Sequence, residues 1–134
     1  MKSVEVIKKE IVIDKKTIEQ LQQQSQEENQ TVIHCTYVSK FYYVNGGWVN
    51  IHPTTFLVNE GTRLPLLYTD NIPVAPKMHF FSKAGETKKF TLFFSGIPKN
   101  WETFDFVEET KNSTGFVVKN ISRNESGVYQ IQLI

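Results

Sequence analysis

The chain carries a single cysteine, Cys35. One thiol forms neither an internal disulfide nor a Cys-x-x-Cys redox pair, which excludes a disulfide-stapled scaffold. Charge of one sign is also missing. Fifteen Lys and Arg stand against fourteen Asp and Glu, for a net charge of +1. A strongly basic, nucleic-acid-gathering surface is therefore not expected, and nucleic acid is not an expected partner. Apolar runs stay far below the roughly 20 residues of a membrane-spanning helix. The N-terminal stretch MKSVEVIKKEIVIDKK has no apolar core and no small-residue cleavage site of a secretory signal. The expectation from the chain as it stands is a cytoplasmic protein. The alternative is the bacterial periplasm or cell surface, if Met1 begins a shortened chain.

Motifs that announce chemistry are scarce as well. No Gly-x-Ser-x-Gly occurs, and Gly46-Gly47 lacks the surroundings of a phosphate-binding loop. His34, His52 and His79 show neither His-x-His nor His-Glu-x-x-His spacing, so no metal and no cofactor are expected. His34 and Cys35 are neighbours on an expected strand and point to opposite faces, so they cannot act as a nucleophile–base pair. Glu102, Asp105, Glu108 and Glu109 read as a solvated edge that discourages strand-to-strand aggregation. Asn29, Asn112, Asn120 and Asn124 each begin an Asn-x-Ser/Thr triplet; Asn29, Asn112 and Asn124 fall in expected loops, and the triplets read as turn chemistry. No enzymatic activity is expected.

What the chain has in abundance is aromatic residues: ten Phe and five Tyr help bring the aromatic share to 13% of 134 residues. That length fits one domain, 1–134, with a substantial core. Apolar residues recur mostly with period two, in short runs closed by turn residues. A strand or strand pair is expected at 3–13, where the alternation slips between Val6 and Ile7, and further strands at 31–44, 48–52, 55–58, 63–69, 78–82, 87–95, 102–107, 116–121 and 128–133. The segment 14–30 has no strand character. Thr17 and Gln20 have capping-box spacing and Ile18 and Leu21 share a helical face, so a short helix near 16–24 followed by a polar loop is expected, the alternative being a disordered glutamine-rich linker. Asn59-Glu60-Gly61-Thr62 reads as a turn from 55–58 into 63–69, and segments 78–82 and 87–95 read as a hairpin around Lys83-Ala84-Gly85-Glu86. About nine strands at this spacing are the signature of an antiparallel β-sandwich or barrel.

The stretch FYYVNGGWVNI, residues 41–51, raises the question of which aromatics face a partner. Along 31–44, Ile33, Cys35, Tyr37, Phe41 and Tyr43 form the more apolar side. A three-residue Asn45-Gly46-Gly47 turn would pair Phe41 with Ile51 and Tyr43 with Val49, keeping both faces consistent. Phe41 and Tyr43 are then expected inward. Tyr42, Val44 and Trp48 are expected outward, beside Lys40 and Asn50. Such an outer cluster is covered either by the N-terminal helix or strand, or by another protein, for which Trp and Tyr are favoured residue types.

The turns and core positions from Trp48 to Glu109 carry a resemblance. They include 55–67, the Ile72-Pro73…Pro76…His79-Phe80 loop, Ala84-Gly85-Glu86 before Phe90-Thr91-Leu92-Phe93-Phe94, Ile97-Pro98, and Phe104-Asp105-Phe106-Val107-Glu108. Together they are similar to small immunoglobulin-like β-sandwich accessory modules of bacterial envelope proteins. The resemblance covers roughly the last two-thirds of the chain and implies an immunoglobulin-like sandwich with a non-catalytic binding or positioning role. The combined expectation is an all-β, immunoglobulin-like antiparallel sandwich of about nine strands with one short N-terminal helix. It binds a protein partner or a second copy through Tyr42, Val44, Trp48, Lys40 and Asn50 and through its edge strands. The alternative is a carbohydrate or small-ligand binder that stacks its ligand on Trp48 and Tyr42.

Overall fold

The computed structural model describes residues 30–111 and 114–134. The expected helix near 16–24 and the expected strand at 3–13 lie outside the described residues. Within them the protein is all-β, with strands β1 (Thr31–Val38), β2 (Trp48–Val49), β3 (Thr55–Asn59), β4 (Thr62–Asp70), β5 (His79–Phe80), β6 (Thr87–Phe94), β7 (Thr103–Glu109), β8 (Thr114–Ser122) and β9 (Val128–Leu133). A single 3-10 turn spans Val44–Gly46. Seven strands form one sheet in the order β8-β7-β3-β4-β6-β1-β9, and β2 pairs with β5 in a small second sheet. The outer strands β8 and β9 approach each other, so the larger sheet is nearly closed.

Period-two patterning produces this arrangement directly. On β1, Thr31, Ile33, Cys35 and Tyr37 are buried while Val32, His34 and Thr36 are less so. Phe90, Leu92 and Phe94 do the same on β6, and Phe104 and Phe106 on β7. These faces meet in one core. Phe94 and Phe106 pack edge to face with centroids 6.2 Å apart, and Phe104 and Tyr129 do so at 5.1 Å. Edge-to-face contact sets the positive rim of one ring on the negative face of the other.

Strand β4 turns the sheet. Its first residues, up to Pro65, pair with β3, and Leu66 onward pairs with β6 through a register shift. Proline has no N–H to donate, so the β4 ladder changes partner where one is missing. The β3–β4 hairpin closes over Glu60 and Gly61, with φ of 46° and 86°, matching the turn expected at Asn59-Glu60-Gly61-Thr62.

Three expectations about pairing are corrected. The sheet is not antiparallel throughout, because β9 runs parallel to β1, with Ile33 opposite Tyr129. The expected hairpin of 31–44 with 48–52 does not form: β1 ends at Val38, and β6 and β9 occupy both its edges, leaving no place for Trp48. The expected hairpin of 78–82 with 87–95 fails for the same reason, since β6 lies between β1 and β4. The two displaced segments pair with each other, Trp48 opposite Phe80 and Val49 opposite His79.

Candidate functional site: an exposed aromatic loop beside a cleft

Where β1 ends, Ser39 clamps the chain. Its N–H donates to the Glu86 carbonyl (2.8 Å), its carbonyl accepts from Gly85 N–H (3.1 Å), and its hydroxyl donates to the Lys83 carbonyl (3.1 Å). Glu86 N–H donates back to Ser39 Oγ at 2.9 Å. The chain then coils through Asn45, Gly46 and Gly47, all with positive φ. A Cβ on Gly46 would stand 2.7 Å from both the Lys83 carbonyl oxygen and Ser39 Oγ, so only glycine fits. The dense turn chemistry read as a hairpin is instead a compact loop anchored to the 83–86 turn.

That loop turns its aromatics outward. Phe41 is 81% exposed and Val44 89%, with Tyr42, Tyr43 and Trp48 also exposed. Phe41 and Tyr43 therefore do not enter the core, contrary to the sequence expectation, because the strand that would have carried them inward has already ended. Phe41 lies across Gly85, and Tyr43 lies against Gly47. The Tyr42 and Tyr43 rings sit 4.6 Å apart. Lys40 is half-buried, with its ammonium 5.5 Å above the Tyr37 ring. Burial raises the Tyr37 phenol pKa, and neighbouring Tyr42 and Tyr43 add to the shift.

Asn50 is the second correction. Expected on the outer face beside Trp48, it is only 8% exposed, and its Nδ2 donates to the Lys77 carbonyl at 2.9 Å. Of the five expected binding residues, Tyr42, Val44 and Trp48 lie at the surface, Lys40 lies half beneath it, and Asn50 faces a cleft. Phe80 and Met78 are exposed as well and were not singled out from the sequence. The cross-strand pairing of Phe80 with Trp48 is hidden in the sequence, where 48–52 reads as the hairpin partner of 31–44.

The cleft is open, holds ≈ 1200 Å³, and runs between Tyr43, Trp48 and Met78 on one side and the end of β7 on the other. Glu108 lies in its lining and is 4% exposed. It was expected on a solvated edge, and that reading is corrected. Strand alternation continues from Phe104 and Phe106 to Glu108, which carries it inward. The carboxylate compensates for burial by accepting hydrogen bonds from His52 N–H (2.8 Å, Oε2) and Phe116 N–H (3.0 Å, Oε1). Gly115 gives it room, since a Cβ there would lie 2.7 Å from the Glu108 carbonyl oxygen.

The remaining sequence candidates separate. Cys35 is 1% exposed, and burial pushes its thiol up to about 12, so its thiolate is scarce at neutral pH. His34 points to the opposite face, with Nδ1 2.8 Å from Thr91 Oγ1. His79 stacks edge-on against Phe81. Asn124 performs the turn role read for it, its Oδ1 accepting from Ser126 N–H (3.1 Å) and Gly127 N–H (2.9 Å). Asn29 and Asn112 lie outside the described residues. Among the described residues, no helix is long and apolar enough to cross a membrane, and no group of three or more His, Cys, Asp or Glu could hold a metal ion. Comparison of the chain with family models, curated proteins and solved structures gives no match.

Proposed function

We propose that this protein is a non-enzymatic binding module of immunoglobulin-like sandwich type, which takes a protein partner on the Phe41–Trp48 loop. One observation carries the reading: Phe41, Tyr42, Tyr43, Val44 and Trp48 are all exposed within eight residues. Contiguous apolar surface of this kind marks interaction sites, and Tyr and Trp supply most of the energy at such contacts. The loop is also pre-shaped by the Ser39 clamp and the Gly46 close approach, which lowers the ordering cost of binding. Where β8 and β9 approach without pairing, the sheet is not fully closed, and strand addition at that seam is a second route. Two features support the sandwich description. The inner faces of β6 and β7 pack on each other, and the Tyr129 hydroxyl accepts from Asn124 N–H at 3.1 Å, a corner contact of the immunoglobulin type.

The test is loss of partner binding in Tyr42→Ala/Val44→Ala/Trp48→Ala with an unchanged melting temperature. Self-association of the purified protein that the same variant abolishes would make the partner a second copy. The carbohydrate reading rests on Trp48 standing half-exposed at the rim of a cleft that also holds Asn50 and Glu108. Saturable binding of neutral glycans with a change in Trp48 fluorescence would favour it.

A further inference from the structure

We infer that the cleft beside Trp48 receives a cationic side chain of the partner, an arginine guanidinium, which stacks on the aromatic wall and donates hydrogen bonds to Glu108 and Asn50. This builds on the protein-binding reading and names what the partner presents. Three observations converge on a cation.

The first is Glu108. A carboxylate that is 4% exposed is ordinarily paired with a positive group, yet no ion pair to Glu108 occurs among the described residues. Its two donors among the described residues are neutral backbone amides, one to each oxygen. A carboxylate has about four acceptor sites, and donors among the described residues occupy two of them.

The second is Asn50. It is also more than nine-tenths buried, and it lines the same cleft. Its Nδ2 is engaged by the Lys77 carbonyl, while its Oδ1 accepts no hydrogen bond among the described residues. The deep polar groups therefore offer acceptors, and the ligand must bring donors. A guanidinium has five N–H donors and no acceptor.

The third is the wall. Trp48 and Tyr43 are half-exposed and border the cleft. Arginine stacks on such faces through both its plane and its charge. The charge balance agrees in sign. Glu108 and Glu109 oppose Lys111 among the lining residues, although Glu109 also meets Arg63 at 3.5 Å outside. The volume exceeds what a single head group fills, leaving room for the peptide that carries it.

The experiment titrates the purified protein with N-acetyl-arginine amide, its neutral isostere N-acetyl-citrulline amide, and methyl glucoside, following the Trp48 indole N–H by NMR. The expected result is saturable arginine binding with Kd on the order of 1 mM, at least about tenfold tighter than citrulline and weakened by salt. Glu108→Gln should weaken it by about tenfold. Lys111→Glu, a change at an exposed rim residue, should tighten it whether or not Glu108→Gln folds. Equal binding of arginine and citrulline, binding of methyl glucoside alone, no saturation, or no tightening in Lys111→Glu would overturn the inference. Its failure is distinguishable from failure of the wider reading. Partner binding that depends on Tyr42 and Val44, with no arginine response, sinks only the cation site. An arginine response without any protein partner keeps the cation site but sinks the binding-module reading and, with it, the partner as the source of the arginine.

Discussion

Replacing Glu108 with Ala tests how the cleft is held together. The carboxylate joins three parts of the chain: its own strand β7, the residues after β2 through His52 N–H, and β8 through Phe116 N–H. Removing it leaves two part-buried amides without acceptors, each costing about 1–3 kcal/mol. Water entering from the open cleft recovers some of that, and relief of the buried charge offsets more. The deleted methylene adds under about 1 kcal/mol of lost burial. The net expectation is about 3 kcal/mol. At about 2.1 cal/mol/K of unfolding entropy per residue, 134 residues give roughly 0.28 kcal/mol/K, so Tm should fall by about 10 °C. Glu108→Gln, which keeps one acceptor, should fall by less than half as much. Thermal and urea unfolding measure the total, and amide hydrogen exchange at His52 and Phe116 locates it. A loss below about 0.5 kcal/mol, within the range of ordinary surface substitutions, would refute the claim that this carboxylate joins the three segments.

Cys35 gives a pH signature. The folded protein keeps its thiol protonated to about 12, whereas the unfolded chain loses it near 9.0. Between those values the folded state holds the extra proton, so stability falls as pH rises, by about 1.4 kcal/mol per unit, and is unaffected below 9. Urea unfolding of wild type against Cys35→Ala should show that slope only in the wild type, and iodoacetamide should react only through unfolding. Gly46→Ala should destabilise by about 2–4 kcal/mol, since it combines a positive φ with two contacts at 2.7 Å; chemical denaturation checks this. Glu60→Gly should stabilise by about 0.5–1 kcal/mol, because Glu60 sits at φ 46° in a two-residue hairpin turn that favours Gly, and a Tm rise of a few degrees would record it.

The sequence shows more of this protein's faces than of its neighbours. Alternation placed Ile33, Cys35 and Tyr37 inward, and the turn at Asn59–Thr62 was legible from local chemistry, because both depend on residues close in the chain. Pairing does not. Whether Trp48 meets Val44 or Phe80 is decided by which edges of β1 remain free, and that depends on β9, some 90 residues away. The assumed hairpin carried Phe41 and Tyr43 to the wrong side because the strand was extended past Ser39. Nothing local marks Ser39 as a clamp, since its partners are Lys83, Gly85 and Glu86. Asn50 followed the same error. Glu108 is different: its inward register was readable from Phe104 and Phe106, but a carboxylate in a core position runs against the usual partition. Its compensation, two amides from distant segments, has no sequence signal.

The most direct test of the central claim is the affinity of a purified partner for wild type and for Tyr42→Ala/Val44→Ala/Trp48→Ala. The partner is first isolated from the native source and then measured by calorimetry, with Tm confirming that both proteins are folded. The exposed loop as a binding surface predicts a Kd weakened by at least about a hundredfold, near 3 kcal/mol across the three truncations. Unchanged affinity in the folded variant would contradict it and return these aromatics to the status of ordinary surface.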